Sequence, residues 1–137
     1  VYTKNYQKVG ARPRSILDGE RFGVTRTGRR DAEEAMGIEG IFDFPKPVRL
    51  IKHLLSIGGG KDARVLDFFA GSGTTAQAVI ELNAEDGGSR TFHLAQIPEP
   101  TSPRSTAHRA GFSTVADICM ERVRKVPGAT FQVFKQF

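Results

Sequence analysis

From residue 41 onward, the apolar positions of this 137-residue chain switch between helical and strand spacing. Val48, Ile51, Leu54 and Leu55 fall on one helical face, with Pro47 suited to the first turn and Gly58, Gly59 and Gly60 as the stop. Residues 64–70 are mostly apolar, the pattern of a strand covered on both faces. A helix is predicted over 74–83 with Ala76, Val79 and Ile80 as its buried stripe, followed by a turn in "AEDGGSR". The next strand spans 91–97 and is closed by Pro98 and Pro100. Residues 101–112, rich in Ser, Thr, Pro and Arg, read as a surface loop. Thr114 then opens a helix, with Asp117 three residues on as a variant capping box and Val115, Ile118, Cys119, Val123 and Val126 as its stripe. "TFQVFKQF" alternates Phe131, Val133 and Phe137 on one side, a strand pattern. Strand, helix, strand, helix, strand with short connections predicts an α/β fold with a doubly wound, mostly parallel sheet.

Before residue 40 the periodicity is weak, with only a short helix expected over 30–36, ended by Gly37. Residues 1–40 therefore read as a basic linker or the trailing part of an upstream domain, and 41–137 as a separate globular part. Charge sharpens this division. The net charge is +5, but residues 1–30 hold eight Lys/Arg against two Asp/Glu, while residues 31–137 hold twelve against thirteen. Such an arm suits phosphate contacts with nucleic acid, and a solvated basic tail has the same composition; both readings stay open. Hydrophobic residues at 39% and charged residues at 26% fit an ordinary globular chain. No apolar run approaches the roughly 18 residues a membrane helix needs, and the N-terminus has no signal-peptide core. The single cysteine, Cys119, excludes an intramolecular disulfide and fits a reducing cytoplasm. Neither Cys119 nor His53, His93 and His108 show metal-ligand spacing, so no metal is expected.

The candidate chemistry lies in "VLDFFAGSGTTAQAVIELN", where a strand feeds a helix through Gly-Ser-Gly. Glycine at 71 and 73 permits a tight turn and close approach of a ligand, and the helix start favours an anionic or strongly polar group. A phosphate-binding loop needs a Lys after its last glycine, and Thr74 stands there instead. Residues 71–76 fit a GxGxxA dinucleotide fingerprint, but the second strand ends Gln96-Ile97-Pro98-Glu99 rather than on an acidic residue. S-adenosylmethionine is the third candidate, with hydroxyls at Ser72 and Thr74 and Asp67 closing the strand. On these residues alone, an NAD(P)-binding oxidoreductase domain and a non-enzymatic nucleic-acid-binding module remain alternatives.

"DFFAGSGTTAQAV", preceded by "FDFPKPVRLIKHLL", resembles the β-class DNA amino-methyltransferases, and more narrowly the modification subunit of type III restriction–modification systems. "ELNAEDGGSRTFHLAQIPEP", "FSTVADICMERVRK" and "FQVFKQF" are similar to that subunit's C-terminal region, so the resemblance covers about residues 38–137 in motif order. It implies a Rossmann-like fold in a cytoplasmic protein, S-adenosylmethionine as cofactor, and methylation of the adenine exocyclic amino group. It also implies double-stranded DNA, a restriction subunit and a second modification subunit as partners. By the same resemblance, Asp43, Lys46 and Pro47 lie near the methionyl end of the cofactor, with Lys46 offering a cation to its carboxylate. Asp67 binds the cofactor amino group or orders the turn. Phe68 and Phe69 divide between the core and an apolar pocket wall. Ala70, Gly71, Ser72, Gly73 and Thr74 form the turn. For the ribose, the family's acidic residue is replaced by Gln96, with Glu99 as the alternative. The family's catalytic motif, a polar residue followed by Pro-Pro and an aromatic, has no counterpart, because no Pro-Pro pair occurs in the chain. With Val1 rather than Met at its start, the chain is expected to be a C-terminal fragment that binds cofactor, contains no catalytic residue and is inactive alone.

Overall fold

The computed structural model describes residue 13 and residues 15–135. Lys4, Lys8, Arg12 and Arg14 of the basic arm, and Phe137 of the last expected strand, lie outside these residues. Helices α1 (Gly19–Phe22), α2 (Thr25–Met36) and α3 (Val48–Gly58) precede strand β1 (Arg64–Asp67). Helix α4 (Thr74–Asp86), strand β2 (Thr91–Leu94), and helices α5 (Thr106–Arg109) and α6 (Val115–Lys125) follow. β1 and β2 pair in parallel, from Arg64 opposite Thr91 to Asp67 opposite Leu94. Parallel neighbours require a crossover, which α4 supplies. Main-chain bonds from Thr91 N to Ala63 O (3.1 Å) and from Ala95 N to Asp67 O (2.8 Å) carry the pairing past both ends of the ladder. The described residues thus form an α/β unit around a small parallel sheet.

Where strands were expected, the structure is shorter. The apolar run 64–70 ends as strand at Asp67, and Leu66 and Phe68 are 58% and 66% exposed, so one sheet face is uncovered among the described residues. The cause is local: the Asp67 carboxylate accepts the Phe69 N–H at 3.0 Å and draws the chain out of the strand into the turn. β2 likewise stops at Leu94 rather than at residue 97. The alternating segment at 131–135 forms no strand, and Val133 and Phe134 are exposed. Alternation sets which side chains share a face, but a strand also needs a neighbour for its N–H and C=O groups. Phe131 lies instead beside the Arg124 guanidinium, 6.0 Å from the ring centroid.

Helices are longer and more numerous than expected. α4 continues to Asp86 and ends at Gly87, whose left-handed φ of 67° lets its N–H reach Asn83 O at 2.9 Å. Ala76, Ala78, Val79 and Leu82 are all buried, a wider surface than a single stripe, while Ile80 is only half-buried. α2 starts at Thr25 rather than near residue 30 and packs along α6. Ala32 and Met36 of α2 join Ile41, Ala107 and Ile118 in one core cluster, with Ile38, Phe42 and Phe112 packed against it. Ala107 belongs to α5, a short helix within the expected loop, capped by Ser105. α6 opens on the predicted capping box, Thr114 Oγ1 accepting from Asp117 N (3.2 Å) and Asp117 Oδ2 from Thr114 N (2.9 Å). No helix of the described residues is long and apolar enough to cross a membrane.

α3 begins just after Pro47, and its first N–H is satisfied from another helix: Asp31 Oδ2 of α2 accepts from Val48 N at 2.9 Å. Asp31→Ala should cost about 1 kcal/mol, as loss of a helix cap does. A lower urea midpoint at unchanged m-value is the expected result, and an unchanged midpoint would show that the cap contributes nothing.

Candidate functional site

Residues 68–73 join β1 to α4, closing in a tight turn at 70–73 in which Gly73 N–H donates to Ala70 O at 2.8 Å. Both glycines have positive φ, +54° at Gly71 and +82° at Gly73, for different purposes. A Cβ on Gly71 would meet Phe42 Cζ at 3.7 Å, on the open side of the turn. One on Gly73 would stand 3.2 Å from Cys119 O and Sγ and 3.3 Å from Val123 Cγ2, so the close approach at Gly73 is to α6. Asp67 spends both carboxylate oxygens on the turn, Oδ1 on Phe69 N (3.0 Å) and Oδ2 on the Thr75 hydroxyl (2.6 Å). Of the two roles expected for Asp67, these bonds serve ordering of the turn. Gln96 is also engaged: Oε1 accepts from Gly71 N at 2.7 Å and Nε2 donates to Ile97 O at 3.0 Å.

The turn forms one side of a cavity of about 280 Å³. Phe42, Phe44, Pro45 and Lys46 build the opposite side, Ile51 of α3 contributes, and Asp67, Phe69, Ala70, Gly71, Ser72, Thr74 and Thr75 complete the wall. The fold therefore brings Lys46, Asp67, Ala70, Gly71, Ser72 and Thr74 together. Asp43 is placed elsewhere: its side chain is exposed and its carbonyl accepts from Arg29 Nη2 at 3.1 Å. Pro47 is buried outside the cavity wall, where a Cβ on Gly23 would meet its ring carbons at 2.7 and 2.9 Å. Phe68, Gly73, Gln96 and Glu99 do not line the cavity, and Glu99 is exposed. Phe69, at 85% exposed, forms cavity rim, and neither Phe68 nor Phe69 enters the core.

No side chain caps the start of α4, and its first residues Thr74 and Thr75 line the cavity, an arrangement that suits a polar or anionic ligand. Arg122 of α6 lies behind the turn, with no solvent exposure. Its Nη1 donates to Ser72 Oγ at 2.7 Å and Thr74 Oγ1 at 3.1 Å, and its Nε to Gln77 Oε1 at 2.9 Å. Burial draws the guanidinium down to about 10, which still leaves it charged at neutral pH. Sequence reasoning missed Arg122 and Thr75, and covered Phe42 and Phe44 only as part of the 42–47 block that the resemblance places at the cofactor pocket. The available signal for Arg122 was its place on the apolar stripe, three residues after Cys119 and seven after Val115. Cys119 is core: burial pushes its thiol up to about 11, too high for a reactive thiolate. Among the described residues no group of His, Cys, Asp and Glu is placed to hold a metal ion.

A larger cavity of about 450 Å³ lies between α2, α3 and α4, away from the turn. It is an ion-paired groove, in which Lys52 binds Glu81 at 3.3 Å and also pairs with Glu85. Burial opposes charge on Lys52, but the hydrogen bonds and charges of the two glutamates raise its pKa overall.

A glycine turn at a strand end, an uncapped helix start and residues Phe42, Phe44, Pro45 and Lys46 thus share one site. The chain belongs to the DNA methylase family, whose pattern matches residues 5–119. The type III restriction-modification enzyme StyLTI Mod subunit of Salmonella typhimurium is 45% identical over 101 residues, 74% of this chain and 15% of that protein. The type III restriction-modification enzyme EcoPI Mod subunit of Escherichia phage P1 is 37% identical over 130 residues, 92% of this chain and 20% of that protein. The type II methyltransferase M.KpnI of Klebsiella pneumoniae is 35% identical over 128 residues, covering 92% of this chain and 30% of the enzyme. The chain thus spans less than a third of the length of these relatives, and the resemblance to type III modification subunits is borne out.

Proposed function

We propose that the chain is the S-adenosylmethionine-binding part of a DNA methyltransferase that methylates the exocyclic amino group of adenine in a type III restriction–modification system. One observation carries this reading: residues from two blocks separated in sequence, 42–46 and 69–75, line a single cavity beyond the end of β1. The cavity fits the cofactor's parts. Lys46 would take the carboxylate, and the α4 N–H groups with the Ser72 and Thr74 hydroxyls would take polar atoms. Phe44 and Phe69, 73% and 85% exposed, would cover an apolar or aromatic face of the ligand. When bound, the cofactor supplies a methyl group activated on a sulfonium. The residues of this chain bind and orient it, and groups outside the described residues accept the protons of the target amine.

The finer fold assigned to the intact protein is a Rossmann-like, doubly wound sheet. The exposed apolar side chains Leu66, Phe68 and Ile97 support it, since further strands and helices would cover them. Residues 1–40 would form the trailing, basic part of an upstream unit, with its helix α2 packed into one core with the cofactor-binding part, 41–137. Double-stranded DNA, a restriction subunit and a second modification subunit are the partners this reading assigns, in the cytoplasm.

Titration calorimetry of the chain with S-adenosylhomocysteine tests the reading. One-site binding is the expected result. Binding of NAD with no heat from the adenosyl ligand would overturn it.

A further inference from the structure

Arg122 is the largest side chain with essentially no solvent exposure. Removing a guanidinium from water is costly unless its charge is compensated, yet among the described residues no carboxylate lies within ion-pair distance of it, and the more distant Asp31 and Glu81 offset its burial only in part. Instead it meets three neutral oxygens, Ser72 Oγ, Thr74 Oγ1 and Gln77 Oε1, while Nη2 makes no hydrogen bond among the described residues. A methionine would fill similar space with no charge to desolvate, so packing alone does not account for an arginine here.

Ser72 and Thr74, whose hydroxyls Nη1 holds, line the cavity, and the two hydroxyls are hydrogen-bonded to each other at 3.4 Å, so one proton of the pair is left to donate. A hydroxyl that accepts from a cation keeps its own proton to donate, and is polarised to donate more strongly. Seen from the cavity, Arg122 is the layer behind Ser72 and Thr74. Through Gln77, whose Nε2 donates to Glu81 Oε1 at 2.8 Å, it is tied to the face of α4 that meets Lys52 of α3.

We propose that Arg122 is a positioning residue for the cavity. From behind the turn it fixes the paired hydroxyls of Ser72 and Thr74 so that the pair donates its free proton to an acceptor atom of the ligand, and it holds residues 70–74 in the binding arrangement. The proposal rests on the reading of this cavity as the S-adenosylmethionine site, and it adds a residue from the far helix that does not itself line the cavity.

Two measurements separate the proposal from that reading. In the ligand-free chain, amide hydrogen exchange at Gly71 and Gly73 should quicken by about tenfold or more in Arg122→Met, with exchange in β1 and β2 unchanged. Unchanged exchange at the turn would overturn the positioning role whatever the ligand is. Calorimetry with S-adenosylhomocysteine should then show binding weakened about tenfold or more in Arg122→Met and partly restored in Arg122→Lys, which keeps a charged donor. In a Ser72→Ala/Thr74→Val background the same Arg122→Met change should weaken binding by less than about threefold, because the groups it acts through are gone. An equal loss in both backgrounds would make Arg122 a packing residue and overturn the proposal. If Arg122→Met does not fold, Arg122→Lys and the Ser72→Ala/Thr74→Val chain carry the exchange test: unchanged turn exchange in both would overturn it. Absence of binding by the unmodified chain would overturn the cofactor reading alone, leaving the exchange result to decide Arg122.

Discussion

Gly28→Ala should destabilise the chain by about 3 kcal/mol, the upper part of the range for inserting atoms into a packed site. Gly28 is buried in the first turn of α2, where a Cβ would stand 2.2 Å from Pro45 O and 2.7 Å from the Lys46 carbonyl carbon. These are backbone atoms and cannot swing aside as a side chain would. Helix propensity alone predicts the opposite sign, since alanine is better than glycine inside a helix by about 1 kcal/mol. The urea midpoint should therefore fall, and a rise would show that α2 is not seated against this segment. Pro45 and Lys46 line the cavity, so binding of S-adenosylhomocysteine should weaken in the same variant.

The second large effect separates the two glycines of the turn. Alanine at either position meets the left-handed backbone penalty of roughly 1–2 kcal/mol. At Gly73 the new methyl also presses on Cys119 and Val123 at 3.2–3.3 Å, so the total should reach about 3 kcal/mol and lower the melting temperature by roughly 10 °C. At Gly71 the methyl has room, with Phe42 Cζ at 3.7 Å, and it stands on the cavity side. Gly71→Ala should keep most of its stability and lose ligand affinity by about tenfold or more. Equal melting temperatures in the two variants would show that the turn is not held against α6.

What was legible in the sequence was local. The Thr114–Asp117 capping box, the start of α4 after Gly73 and the parallel pairing of the two apolar runs each depend on neighbours a few residues away or on a βαβ unit read as a whole. What was missed depends on contacts between distant segments. Asp31 caps a helix seventeen residues on, Arg122 reaches the turn across fifty, and Gly28 is required by Pro45 rather than by its own helix. A charged residue on an apolar stripe looks like an interruption until its partners are known. The strand expected at 131–135 fails for a related reason, because alternation is a property of one segment while a sheet needs two. In the candidate site, the turn and Lys46 were legible as chemistry. That Gln96 would be occupied with Gly71, and that Gly73 would face α6, was set by tertiary packing.

Cys119 gives the molecule an internal reporter. It is the chain's single thiol, buried against the turn's second glycine, with its ionisation pushed up to about 11 by that burial. An alkylating reagent at neutral pH reacts with thiolate, so the closed molecule should resist labelling and only a chain that has opened α6 away from the turn should be modified. The labelling rate of the native chain therefore reads the opening of this one contact directly. Comparing it across the Gly28, Gly73 and Arg122 variants would tell whether each loosens the turn itself or the molecule as a whole.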